Sequence, residues 1–427
     1  MTNWMAALAA YCKHVRQQHP DDRLMVVFDA DGALLDRRRS FGAALRPCSG
    51  ALETVRWLET GLGCAVGLVS ARPESARAEM LAALNALGVS RRVQFEDARL
   101  HLRPGGPAGD DAAARAAGVR AFQGTGWRVI AALDSASETL AAVAAQDEAG
   151  EILLLHAALD GAARAGALPA RALSGDAYRL ADLIAERDLP PDVGLVWHGL
   201  NDEPNVRQFL ASEIEWGECD IHLDPRTDRL VLHHDRLDDA PADDVAALLT
   251  LDDLLARMRE RGKAVKLDLK GGGLLIGRAL ALVERHGFDD DHLWLNGYLQ
   301  FLGEAGVRQL AEARPGAILQ APVDFMGVLA VSLPDHTKVI LDTLRGWGMN
   351  RFSINFMSAE RPQFYDLMLR WGFEVNLYGV VDLETFLAAV LLHPRSVTTD
   401  FNFPQWHYYG RGSGQGGRYY EYKQRAP

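Results

Sequence analysis

The chain has 427 residues, 48% of them hydrophobic and 24% charged, and a formal net charge of −12 at pH 7. That length suits two domains, and that composition excludes a largely disordered chain. The negative balance argues against broad adhesion to nucleic acid or to an anionic membrane, since both require a cationic surface.

In chain order, Trp4 to Tyr11 is apolar but short and runs directly into Lys13 and His14, which reads as an amphipathic first helix and not as a cleaved leader. No later segment offers the ~18 uninterrupted apolar residues of a membrane span. Cys12, Cys48, Cys64 and Cys219 show no CxxC spacing, so free thiols and a cytoplasmic location are expected. From Leu24 to Ala158, β-rich runs (Leu24 to Phe28, Ala65 to Val69, Val129 to Leu133, Ile152 to His156) alternate with Ala/Leu/Arg helices. That alternation predicts a Rossmann-like parallel sheet covered by helices.

Gly161 to Ala172 reads as a linker, followed by a helix from Asp176 to Arg187 and the Pro190-Pro191 pair. The expected domains are therefore 1–174 and 175–410, with a Gly/Arg/Tyr-rich tail at 411–427. Eight further β runs begin at Val193, Glu218, Ala264, His292, Ala317, Arg351, Phe373 and Ser396, most of them separated by helical patterns. Together with an extra short strand at Leu230 to His234, this predicts a (β/α)8 TIM barrel and an α/β fold class for the whole chain.

Barrel sites lie at the carboxy ends of the strands. Those ends read His198, Glu218 with Asp220, Asp268 with Lys270, Asn296, Gln320, Asn355, Asn376 with Tyr378, and Asp400. Residues i and i+2 share a face of a strand, so Glu218, Asp220 and Asp268 converge. Carboxylates so crowded repel one another unless a cation neutralises them, and oxygen ligation favours Mg2+, with Ca2+ or Mn2+ as alternatives. His198 and His234 beside such an ion suit acid/base work on a phosphoryl ester. His222 and Asp224 continue the inward face of Glu218, whereas His233 alternates with His234 and is expected to face outward.

The segments His198-Gly199, Glu203-Pro204-Asn205, Glu218-Cys219-Asp220, Thr227-Asp228, His233-His234-Asp235, Lys266 to Lys270 and Thr398-Thr399-Asp400 with Pro404 resemble glycerophosphodiester phosphodiesterases. Two departures stand out: the arginine of that family's His-Arg-Gly element is set against Leu200, and the third carboxylate is Asp268 instead of glutamate. Aspartate-x-lysine resembles sphingomyelinase D-like enzymes, and the general pattern is similar to menorin-like proteins of the same superfamily. The resemblance implies that Glu218, Asp220 and Asp268 hold a divalent metal, that His198 and His234 are catalytic, and that Lys270 meets a phosphate oxygen. It implies hydrolysis of a small phosphodiester; the rival is a lyase in which a neighbouring substrate hydroxyl attacks phosphorus, the alcohol is expelled and a cyclic phosphate is left.

In the first half, Asp29-Ala30-Asp31-Gly32 after an apolar strand resembles haloacid dehalogenase-like (HAD-like) phosphatases. That resemblance implies Asp29 as nucleophile, Asp31 as proton carrier, Ser70 as a phosphoryl contact, and Asp134 with Glu138 at a magnesium site, acting on a phosphomonoester. The family's lysine is missing, since none occurs between Lys13 and Lys263, and Arg103 is the candidate to replace it. Loss of catalysis in both halves, leaving a phosphate-ligand binding protein, is the non-enzymatic alternative.

Overall fold

The computed structural model describes residues 4–36, 45–105, 110–159, 166–185, 188–237 and 241–400. Arg37 to Arg39, Pro404, Trp406 to Tyr409 and the 411–427 tail lie outside the described residues. The chain forms two compact units, Met1–Leu189 and Pro190–Pro427. The division thus falls later than 174/175, because the intervening residues pack on the first unit: a short strand at Leu173–Gly175 adds to its sheet, and the Tyr178 hydroxyl donates to the Ala33 carbonyl at 2.9 Å. The helix expected from Asp176 to Arg187 is reduced to Leu180–Leu183.

Six parallel strands build the first unit: β1 Leu24–Asp29, β2 Ala65–Pro73, β3 Leu100–Arg103, β4 Arg128–Asp134, β5 Leu153–Ala157 and β6 Leu173–Gly175. Their order is β3-β2-β1-β4-β5-β6. Every residue of β1 is buried, as expected for an unbroken apolar run in the centre of a parallel sheet. The chain leaves β1 to β2 on one side and reaches β4 on the other, so the sheet order reverses at the carboxy end of β1, where Asp29 stands. Such a switch point opens a crevice between diverging connections. The first helix, Trp4–Gln18, buries Trp4, Met5, Leu8, Cys12 and Val15 along one face.

The second unit contains β7 Gly194–Trp197, β8 Trp216–Asp224, β9 Arg229–Leu232, β10 Ala264–Leu269, β11 Leu293–Gly297, β12 Ile318–Pro322, β13 Arg351–Asn355, β14 Glu374–Val380 and β15 Ser396–Thr399. Eight of them are parallel and run β10 through β15, then β7 and β8, with β8 pairing back to β10 to close the barrel. The ninth, β9, is the predicted extra strand and folds antiparallel onto the end of β8. Helix starts follow local chemistry: Thr250 caps Leu251–Glu260 by accepting from the Asp253 amide, and Asp382 with Thr385 forms a capping box on Leu383–Val390. Among the described residues no helix is long and apolar enough to cross a membrane.

Candidate active site

Register carries the barrel's polar side chains into layers. Glu218 on β8 lies beside Lys266 on β10, and one inward step higher Asp220 lies beside Asp268, followed by Asn296 on β11 and Gln320 on β12. Neighbours in register on parallel strands face the same way, so these groups meet inside the barrel. Asn296 Nδ2 donates to Asp268 Oδ1 at 2.7 Å, and Gln320 Nε2 donates to Asn296 Oδ1 at 2.8 Å. The chain of amides holds Asp268 in one orientation.

Glu218, Asp220 and Asp268 are buried and offer carboxylate oxygens that all lie within 4.8 Å of one another. Lys270 bridges two of them, with Nζ 2.7 Å from Asp220 Oδ1 and 2.5 Å from Asp268 Oδ2. Burial, with Asp220 and Asp268 nearby, still pushes Glu218 up to about 7 despite His198 and Lys266. The three carboxylates crowd one buried point, and their all-oxygen donor set fits a hard divalent cation. Lys266 forms the floor, its Nζ 3.0 Å from Thr398 Oγ1 and 4.4 Å from the Trp294 ring centre, and burial lowers it to about 8 against the pull of Glu218 and Asp268.

His198 follows β7 by one residue. Its Nδ1 is hydrogen-bonded to Asp400, and its Nε2 lies 3.6 Å from Glu218 Oε2. A carboxylate only accepts, which makes Nδ1 the donor and leaves Nε2 facing the cluster. Burial alone would lower its pKa, but Glu218, Asp400 and Asp220 overcome that and raise it to about 9. The turn after His198 is held by the Gly199 amide donating to Glu218 Oε2 at 2.8 Å and by Asn201, which donates to Asp220 Oδ2 at 2.6 Å.

A cavity of about 260 Å3 opens at this end of the barrel, and its lining includes His198, Glu218, Asp220, His234, Asp268, Lys270, Asn376, Tyr378 and Asp400. The residues expected to hold the metal, to transfer protons and to meet the ester in the barrel are thus gathered in one place. Asn376 is fully buried, its Oδ1 accepting from Ser396 and Thr398, while its Nδ2 has no hydrogen-bond partner among the described residues. The Tyr378 hydroxyl donates to Asp324 Oδ2 at 2.5 Å. His234 is exposed, and its Nδ1 is 2.9 Å from Asp235 Oδ1.

Several expectations need correction. Asn355 is absent from the lining and instead accepts from the Met357 amide at 2.8 Å to shape a turn. His222 and Asp224, expected only as groups behind the inward face, belong to the β8–β9 hairpin, paired with Val231 and Arg229; they do not line the cavity, and His222 hydrogen-bonds the His234 backbone beside it. Leu200 is buried on the far side of the turn, where a Cβ on Gly217 would overlap it. The residue that directly follows His198 is Gly199, with φ +74°, a left-handed conformation that disfavours arginine. The departure from the His-Arg-Gly pattern therefore lies at Gly199. Lys266, Tyr298, Ser353 and Thr398 line the cavity unforeseen, yet each sits two residues from a strand-end residue already singled out. Period-two alternation carried one layer further would have found them.

In the first unit, Asp29 is fully buried and ion-paired to Arg115, with Oδ1 3.1 Å from Nε. Arg115 comes from helix Asp111–Gly124 and also donates to Thr139 Oγ1 at 3.3 Å. Burial first, then Asp29, pushes Asp134 well above the usual carboxylate range. Asp31 receives a hydrogen bond from Ser70 Oγ and another from Arg72 Nε at 2.7 Å, in a π-helical turn, Ala30–Leu34, that follows β1 directly. Gly32 is confined there, since a Cβ would overlap Ser135 Oγ. Arg103 pairs with Asp111 at 3.1 Å, and among the described residues the cation in contact with Asp29 is Arg115. Among the described residues, the first unit brings no three metal-ligating side chains as close together as the barrel triad.

No protein-family model and no curated protein matches the chain. Among solved structures it is similar to a glycerophosphoryl diester phosphodiesterase from Agrobacterium tumefaciens, with 16% identity over 52% of this chain and 98% of that one and a TM-score of 0.41. An Oleispira antarctica phosphodiesterase in complex with its product sn-glycerol-3-phosphate is similar at 17% identity over 53% of this chain and 98% of that one, with a TM-score of 0.40. Orotidine 5'-phosphate decarboxylase from Lactobacillus acidophilus is also similar, at 9% identity over 55% of this chain and 98% of that one, with a TM-score of 0.33.

Proposed function

We propose that the barrel is a metal-dependent phosphodiesterase acting on a small phosphodiester. The observation that carries this reading is the buried Glu218, Asp220 and Asp268 triad facing His198 at the floor of one cavity. The three carboxylates would hold a divalent ion, Mg2+ before Ca2+ or Mn2+, which supplies Lewis-acid polarisation of a phosphoryl oxygen when bound. Lys270 exchanges one carboxylate for a phosphate oxygen, and Asn376 and Tyr378 line the space that the ester occupies. His198, whose pKa Glu218 and Asp400 raise against the effect of burial, suits the proton donor to the departing alcohol. His234, steered by Asp235, suits the acceptor of the proton from attacking water. The P–O bond to the alcohol breaks as the bond to water oxygen forms, leaving a monoester and an alcohol.

The first unit is proposed as an HAD-like phosphomonoesterase, with Asp29 attacking phosphorus, Asp31 relaying the proton, Ser70 contacting a phosphoryl oxygen, Asp134 at the magnesium site and Arg115 supplying the positive charge. It would act on the monoester that the barrel releases. The test is turnover of bis-p-nitrophenyl phosphate with and without Mg2+, Mn2+ or Ca2+, in wild type and His198→Ala. A metal requirement together with a loss of about 10^2- to 10^4-fold in the variant is expected. Metal-independent turnover that His198→Ala leaves intact would overturn the reading. Phosphorus NMR of a substrate bearing a neighbouring hydroxyl separates the routes, since a persistent cyclic phosphate would replace hydrolysis by the lyase.

A further inference from the structure

In the first unit Arg99, Arg23 and Trp127 directly precede β3, β1 and β4, and the parallel sheet brings these entries to one edge. Arg16 on the first helix, Arg56 on helix Ala51–Thr60 and Arg92 reach the same edge, and with Arg23 and Arg99 they line a cavity of about 690 Å3. The whole of β1 separates this cavity from Asp29, which at roughly 3.3 Å per residue is a distance of roughly 20 Å. The cavity therefore belongs to neither site described above.

Its charges do not balance. The lining carries three carboxylates, Asp22, Glu59 and Glu96, and all three are engaged. Asp22 is held by Arg128 at 2.5 Å, while Glu59 and Glu96 both pair with Arg99, at 3.2 and 3.0 Å. Among the described residues Arg16, Arg23 and Arg56 form no ion pair. Arg16 donates to the Pro20, Asp22 and Gly63 carbonyls, as an arginine near a helix carboxy end does, and these leave its charge uncompensated. Arg23 lies over the Trp127 ring at 3.8 Å, with Arg99 5.5 Å from the same ring centre. Arg56 Nη1 donates to the Arg92 carbonyl at 3.1 Å, but its Nε is buried with no hydrogen-bond partner among the described residues. Burial first, then the charge of Arg92, lowers the Arg56 pKa, and burial raises that of Glu59 against Arg99 and Arg56. In a chain of net charge −12 this is a local surplus of positive charge, gathered around a cavity.

We infer that this cavity binds a small anion carrying at least two phosphate groups. Planar guanidiniums match phosphate oxygens with paired donors, and Arg56 Nε is a donor still to be satisfied. Three guanidiniums without a carboxylate exceed the charge of about −1.5 to −2 that a single phosphate group carries at pH 7. A diphosphate meets that surplus, whether as the free ion or as part of a nucleotide.

Isothermal titration calorimetry with inorganic pyrophosphate tests this on the full chain, freed of metal by chelating resin so that no metal-bridged anion enters either carboxylate set. The expected result is one pyrophosphate per chain, bound about tenfold or more tighter than orthophosphate or citrate. Arg23→Gln with Arg56→Gln weakens it by about tenfold or more, since two charged donors are lost, while circular dichroism shows the fold retained. Arg23→Gln alone alters an exposed side chain and gives a smaller loss, which keeps the test open should the double variant misfold. ADP run beside pyrophosphate distinguishes a nucleotide from the free ion as the source of the diphosphate, and tight binding of either supports the site. A Kd weaker than about 1 mM for both overturns the site, as does binding that the arginine variants leave unchanged. Citrate bound as tightly as pyrophosphate overturns phosphate as the ligand's chemistry, and orthophosphate bound as tightly overturns the need for two phosphate groups.

Discussion

Two neighbours of His198 set its chemistry. Asp400 holds Nδ1, and the Glu218 carboxylate lies beyond Nε2. Removing either negative group lowers the imidazole's pKa, so Asp400→Asn should bring the alkaline limb of kcat/KM to lower pH by about one unit. An unchanged limb would assign the essential acid to another residue. Glu218 makes a second prediction, on stability. Its folded-state pKa of about 7 lies above the unfolded carboxyl value of 4.5, so the folded state holds the proton more tightly. Stability from this group is present below pH 4.5 and lost as pH rises through 7. In chelator the melting temperature should therefore fall between pH 5 and pH 8, by roughly 6 to 12 °C for a shift worth about 3 kcal/mol. Mg2+ should reverse the fall most strongly at pH 8, where the carboxylate ionises, and Asp268→Asn should blunt that rescue. A metal effect independent of pH would contradict the assignment.

At the scale of elements, the turn after β1 and the helix Asp111–Gly124 meet through one buried ion pair. Asp29 and Asp134 lie together at the switch point, and Arg115 is the cation set against them. Arg115→Met leaves two buried carboxylates without that cation and should cost about 3–5 kcal/mol at pH 7. The loss should be smaller at pH 5 than at pH 7, because protonation of Asp134, which burial and Asp29 favour, removes one of the two charges, and urea unfolding at both pH values checks it. An equal loss at both would point to packing in place of charge. The same helix shows how the two arginines are placed. Arg103 ends β3 and faces Asp111 at the helix start, while Arg115 lies one turn further along, in contact with Asp29. Nothing in a linear reading of Ala/Arg repeats distinguishes an arginine turned inward from one turned to solvent.

For the whole molecule, each of the two compact units carries its own set of carboxylates, Asp29 with Asp134 in the first and Glu218 with Asp220 and Asp268 in the second. Substitutions with no shared partners are additive. Asp29→Asn should therefore abolish hydrolysis of p-nitrophenyl phosphate while leaving bis-p-nitrophenyl phosphate turnover within about twofold, and His198→Ala should do the converse. Loss of both activities in one single-site variant would mean that the units share a site.

How much of this was legible beforehand follows the range of the interactions involved. Strand spacing and the alternation of inward and outward residues are local properties of the backbone, so the eight barrel strands, their order and the inward carboxylates Glu218, Asp220 and Asp268 could be read from residues alone. The Asp176 to Arg187 segment could not, because a helical pattern does not say whether packing will sustain a helix. Partners distant in the chain were equally hidden. Barrel closure sets β15 beside β7 and thereby Asp400 against His198, 202 positions away, and sheet order sets Arg115 against Asp29. The sequence by itself determined the barrel and the acids pointing into it, through short-range periodicity. Only the tertiary structure, by bringing distant strands and loops side by side, decided which groups pair with those acids and what surrounds them.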